Sequence, residues 1–179
     1  FKPLTNLLYK SKNGRVLIDN PERYAYFSKA VISTLPHLFW VPDIFVCNGW
    51  QSALIPTIYK NEYEGINDFY KDIKTVLVIH DLDEYSNASR SELSNFSIEI
   101  PSELKGGKIN LYDISSYSAD AILIIDKPGA KISSKLLKKT AFKDNKNKLT
   151  IFEQKEIENT NYDAVTKSLD QIISKLTSK

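Results

Sequence analysis

The sequence predicts an α/β fold: a Rossmann-like, mostly parallel sheet with helices on both faces. Three observations predict it. Short apolar runs at 43–47, 74–80 and 119–126 have the composition of buried strands. Stretches with helical spacing and helix-end signals separate them. Strand and helix alternate at βα spacing along the chain.

Composition sets the limits. The chain has 179 residues, 42% hydrophobic and 26% charged, which suits one folded domain with a real core. A net charge of +2 is too small to argue for nucleic acid. No apolar run is long enough to cross a membrane, and the start FKPLTNLLYKSKNG is not a secretory signal. The single cysteine, Cys47, excludes an internal disulfide, so a reducing, cytoplasmic setting is expected.

The elements follow in order. Lys12-Asn13-Gly14 reads as a turn. A first helix is expected with Asn20 as N-cap, Pro21 at its first position and Glu22 in the first turn. Tyr24, Phe27, Val31 and Leu35 form its expected apolar stripe, and Pro36 ends it. The run at 43–47 does not alternate, so both its faces are expected to be covered. Asn48-Gly49 supplies a tight turn, and 50–60 reads as a helix broken or kinked at Pro56. The run KTVLVIH at 74–80 is β-branched and apolar.

Residues 83–108 read mostly as loop, with a short helix over 90–95. A helix over 110–118 leads into the strand ADAILIID. Residues 128–137 read as another helix, and KLTIF at 148–152 as a fourth strand. A final helix is expected with Thr160 as cap and Val165, Leu169, Ile172 and Leu176 as its stripe. The strands of 44–47, 76–79 and 121–125 should be parallel neighbours, bringing Asn48 and His80 to one sheet edge. Four strands are few for such a sheet, so earlier ones are expected upstream or from another segment.

Several blocks match a known pattern in order. They are DN-x-ERxxxFSKAV, W-x-PDI-x-x-C-x-x-WQSALIP, IKTV-x-x-IH and YSADAI. Together they resemble the N-terminal catalytic domain of bacterial glycogen synthases and plant starch synthases, retaining glycosyltransferases with two Rossmann-like domains. The resemblance runs from about Asp19 to Asp126 and is most specific over 42–56. It implies that 1–179 is a single incomplete domain of that type, in a shortened and diverged form.

The resemblance also implies site residues. His80 corresponds to a histidine that looks toward the donor sugar, and Asp81 follows it. Asn48, Gly49 and Trp50 lie on the loop of the catalytic cleft and are candidate ligand contacts. There the family usually has a histidine at the place of Val46 and histidine-aspartate at Asn48-Gly49, the aspartate belonging to the cleft. The family's lysine-glycine-glycine loop and second domain have no counterpart here. Ile125-Asp126 replaces the serine-containing end of its strand.

The expected function is therefore a glycogen or starch synthase homologue that is inactive alone and serves as a binding or assembly module. Its partner would be a protein or a glucan. The alternative is glucosyl transfer from ADP-glucose or UDP-glucose to an α-1,4-glucan, with a second domain supplied elsewhere.

The remaining residues carry weaker signals. Asp81, Asp83 and Glu84 match no metal-loop spacing and read as a solvated acidic loop, so no metal or cofactor is expected. Cys47 reads as a small buried hydrophobe, and His37 lacks a paired ligand. The lysines from Lys131 to Lys148 read as a solvated face. Gly106-Gly107 reads as a turn.

Overall fold

The computed structural model describes residues 9–154 and 162–178. Four parallel strands form the central sheet: β1 (Ile44–Asn48), β2 (Lys74–Ile79), β5 (Ala121–Asp126) and β6 (Leu149–Glu153), in spatial order β1-β2-β5-β6. Cys47 is level with Leu77, Leu77 with Ile122, and Ile122 with Leu149. The three expected neighbours are thus adjacent and parallel. Asp120 helps fix the β2–β5 register, because its carboxylate accepts from the Thr75 amide at 2.8 Å and hydroxyl at 3.0 Å.

Among the described residues seven α-helices accompany the sheet: α1 (Asn20–Thr34), α2 (Ile55–Ile58), α3 (Arg90–Asn95), α4 (Leu111–Ser118), α5 (Ile132–Leu136), α6 (Thr140–Asp144) and α7 (Tyr162–Thr177). Successive strands step across the sheet in one direction. Right-handed crossovers then place every intervening helix on the same face. That face carries the larger core, in which Cys47, Leu77, Ile79 and Ile122 meet Leu54, Ile58, Ile114 and Phe142. Among the described residues only α7, which follows the last strand, reaches the other face. There Ile172, Leu169 and Leu176 pack against Val76, Val78, Ala121 and Leu123.

Several expectations need correcting. Strand β1 is not covered on both faces: Phe45 and Cys47 are buried, while Val46 and Asn48 are exposed. It is the sheet's edge among the described residues, and α7 packs on β5 and β6 instead. In α1 the flanking residue is Asp19, which makes no side-chain cap. Asn20 is inside the helix and buried, its amide donating to the Tyr9 carbonyl at 3.1 Å. The buried stripe of α1 is Ala25, Ser28 and Ile32, followed by Leu35, while Phe27 is 45% exposed. Small residues at the contact let the helix lie close, so the bulky ones flank it.

The stretch 50–60 is not one helix. A 3₁₀ turn at Trp50–Ser52 precedes α2, and a π turn follows at Tyr59–Tyr63. Pro56 sits in the first turn of α2, where a missing N–H is harmless, so it helps start that helix. The loop 83–108 contains β3 (Asn87–Ser89), antiparallel to β4 (Lys108–Asn110). Between them α3 starts with a capping box: Ser89 Oγ accepts from the Glu92 amide, and Glu92 accepts from the Ser89 amide. The helix expected over 128–137 is limited to α5, after a turn that includes Lys131 at φ 50°. The expected cap at Thr160 lies outside the described residues.

Candidate functional site

The C-terminal ends of β1 and β2 meet at one point. The Gly49 amide donates to the Val78 carbonyl at 3.0 Å, placing the turn after β1 beside His80. Gly49 has φ 74° and ψ 176°, a conformation open in practice only to glycine. A Cβ there would lie 2.8 Å from Gln51 Oε1 and 3.2 Å from His80 Nε2. A side chain at position 49 would therefore be strained by the backbone conformation and would require Gln51 and His80 to shift.

Beneath the turn is an aromatic cluster. Trp50 is 1% exposed. Tyr24 meets it edge-on at 4.6 Å between centroids, Tyr9 at 5.2 Å, and Tyr85 lies near-parallel at 5.8 Å. Its rings are covered by protein, so the expectation of Trp50 as a ligand contact gives way to a packing role. Gln51 is tied into the same cluster, its amide donating to the Tyr9 hydroxyl at 2.9 Å. Burial, with Tyr9 adding to it, pushes the Tyr24 phenol up to about 12.

His80 is oriented from behind. Its Nδ1 lies 3.2 Å from Asp81 Oδ2, and Asp81 Oδ1 accepts from the Tyr112 hydroxyl at 3.1 Å. Tyr112 is fully buried on α4. Burial above all, then the neighbouring Asp81 charge, pushes its phenol well above the usual tyrosine range. It stays protonated and remains a donor. His80 Nε2 is left facing the Gly49 turn, where it could hydrogen-bond a hydroxyl group. Asn48 is exposed beside it, its carbonyl accepting from Ser52 Oγ at 3.0 Å.

The end of β5 is built differently. Asp126 accepts from the Ile132 amide at 2.7 Å, the Ser133 amide at 3.2 Å and the Ser133 hydroxyl. Its carboxylate satisfies the first free amides of α5, which water or a ligand would otherwise meet.

The other candidates do not gather. Asp83 and Glu84 are exposed, and no acidic, histidine or cysteine cluster able to hold a metal occurs among the described residues. Cys47 is buried and its thiol is pushed up by that burial, which makes it inert. The lysine run is partly structural. Lys139 pairs with Asp113 at 2.9 Å, and Lys148 donates to the Ser116 and Tyr117 carbonyls at the end of α4. Burial lowers the Lys148 pKa and raises that of Asp113, while Lys139 pulls Asp113 the other way. Sequence reasoning missed Tyr112, Gln51, Tyr9 and Asp126. The WQSALIP block was the only signal for Gln51.

This strand-end arrangement is that of one Rossmann-like half of a two-domain glycosyltransferase. The catalytic domain of starch synthase IV from Arabidopsis thaliana, bound to ADP and acarbose, superposes with a TM-score of 0.61 at 18% identity, over 76% of this chain and 30% of that one. Residues 1–131 match the family model of the starch synthase catalytic domain, and the chain belongs to that family. It is 38% identical over 112 residues to a glycogen synthase of Clostridium perfringens, covering 61% of this chain and 22% of that protein. It is 47% identical over 64 residues to a glycogen synthase of Alkaliphilus metalliredigens, covering 36% and 13%. The chain thus spans about a fifth or less of the length of these relatives.

Proposed function

We propose that this chain is a starch synthase-type domain serving as a binding or assembly module, a pseudoenzyme that does not transfer glucose by itself. Gly49 is the observation that carries the reading. The family resemblance puts a cleft aspartate at this position. Here the backbone at φ 74° disfavours any side chain, and an aspartate would also have to displace Gln51 and His80. Without a second domain, this half of the cleft would also hold a nucleotide sugar from one side only. Most of the binding energy used at the transition state would be missing, and water would not be excluded. The partner is a glucan or another protein. The proposed setting is the cytoplasm, supported by a single cysteine that is buried. Among the described residues no helix is long and apolar enough to cross a membrane.

One observation favours a second reading. His80 is held from behind by Asp81 and Tyr112, with Nε2 free to face a sugar. With a second domain supplied elsewhere, this wall could orient donor glucose from ADP-glucose or UDP-glucose for transfer to an α-1,4-glucan. Radiolabelled glucose incorporation into glycogen at high protein concentration tests both readings. The chain alone should give background counts. Incorporation above background that disappears in His80→Ala would overturn the non-catalytic reading.

A further inference from the structure

The outer face of α5 and α6 carries charge that nothing in the fold answers. Between Lys127 and Lys148 the sequence has eight lysines and one carboxylate, Asp144, a surplus of seven in a chain whose net charge is +2. The remainder of the chain is therefore net negative. Two of these lysines are used internally, Lys139 on Asp113 and Lys148 on the Ser116 and Tyr117 carbonyls. The other six, Lys127, Lys131, Lys135, Lys138, Lys143 and Lys146, are exposed, and their side chains make no hydrogen bond or ion pair among the described residues. Asp144 accepts from the Tyr117 hydroxyl instead, at 3.4 Å. The helices point these lysines the same way. Ile132 and Leu136 of α5 and Ala141 and Phe142 of α6 are buried in the larger core, which leaves the lysines on the side away from it. Both helices connect β5 to β6, the two strands farthest from β1. An open apolar edge can be closed by further chain, but unpaired ammonium groups resist burial and stay with water or an anion.

We propose that this face docks on an anionic phospholipid surface, as a peripheral contact that does not enter the hydrocarbon. Charge complementarity and the make-up of the face select that partner. All its cations are lysines, with no arginine from 127 to 148, and its one aromatic ring, Phe142, is buried. Base readout and phosphate forks use arginine, and single strands stack on exposed aromatic rings. Protein interfaces are likewise enriched in arginine and aromatics and depleted in lysine. A headgroup layer asks for neither. It is a continuous sheet of negative charge that flexible, hydrated ammonium groups meet through its diffuse field, and clusters of about four to eight basic residues suit it. Each lysine brought to such a surface raises partitioning roughly fivefold. The attraction is screened within about 10 Å at moderate salt. The repulsion among Lys131, Lys135 and Lys138, spaced four and three residues apart, is relieved in the same step.

This goes beyond the glucan-or-protein reading, and its test is independent of glucose transfer. The chain is sedimented with phosphatidylcholine vesicles that either contain or lack phosphatidylserine. It should bind the anionic vesicles only, and added salt should release it. Lys131→Gln/Lys135→Gln/Lys138→Gln should weaken that binding about a hundredfold, with an unchanged melting curve. Lys12→Gln/Lys71→Gln/Lys105→Gln removes the same charge from exposed positions elsewhere. It should change binding by less than about threefold, because charges away from the contact are screened. Equal losses in the two triple variants would mean that net charge alone acts, and would overturn the proposal. A wild type that ignores anionic vesicles, or binds both kinds alike, would overturn it too. Retention of RNA by the same three lysines without vesicle binding would give the face to nucleic acid and overturn it as well.

Discussion

The two faces of the sheet are unequal. One is covered by α1, α2, α4, α5 and α6 and a cluster of aromatic rings, and the site residues Trp50 and Tyr112 belong to its core. The other is covered, among the described residues, by α7 alone, over β5 and β6, which leaves Val46 and Asn48 of β1 open. The difference follows from strand order. A sheet that grows in one direction with right-handed crossovers receives all its connecting helices on one side. The site thus shares its packing with the thick face, while the thin face depends on a single helix.

This contrast predicts a ranking. Trp50→Ala should be the most damaging change, costing about 3–5 kcal/mol in urea melts, because a large buried ring is lost beneath the turn. A cost under about 1 kcal/mol would mean that the aromatic cluster does not support the thick face. Ile172→Ala should cost about 2–4 kcal/mol, since Ile172 is the most buried contact of α7. If it cost more than Trp50→Ala, the thin face would be the stronger of the two.

Tyr112→Phe removes one hydroxyl and leaves Asp81 with an unmet acceptor, for about 1 kcal/mol. The more telling readout is the His80 imidazole signal by NMR. It should shift if Tyr112 and Asp81 hold the ring, and stay put if packing alone holds it.

The smallest effect at neutral pH is a linkage one. Burial raises the Tyr24 and Tyr59 phenols from 10.0 to about 12, and both lie on the thick face. The unfolded chain loses these protons near pH 10 while the folded chain keeps them. Their contribution is therefore fully present below pH 10 and is lost as pH rises toward 12. Tyr59→Phe should flatten that decline in melts recorded across the window, and an unchanged slope would remove Tyr59 as a cause.

Much of the scaffold was legible in the sequence. The runs IFVC, TVLVI and AILII are β-branched and apolar enough to define strands, and the spacing between them implies their parallel order. Coverage of β1 was not legible, because a run of apolar residues does not say which strand ends the sheet. The α1 stripe differs from expectation because bulk is a poor guide to burial where close packing favours Ala25 and Ser28. Tyr112 was missed because its partner, Asp81, lies 31 residues away in sequence and nothing local marks the pair. Asp126 reads in the sequence as a departure from a family pattern, yet it caps α5. In the same way, Gly49 reads as a lost carboxylate, whereas the structure gives it a backbone role of its own.

That role bears on what can replace Gly49. Glycine and aspartate codons can differ by a single base, so a carboxylate at position 49 is one mutation away in the gene. It is further away in the protein. An aspartate at position 49 would meet Gln51 and His80 and would have to leave the left-handed backbone. The genetic code thus puts the carboxylate one step away, while the backbone of the turn resists it.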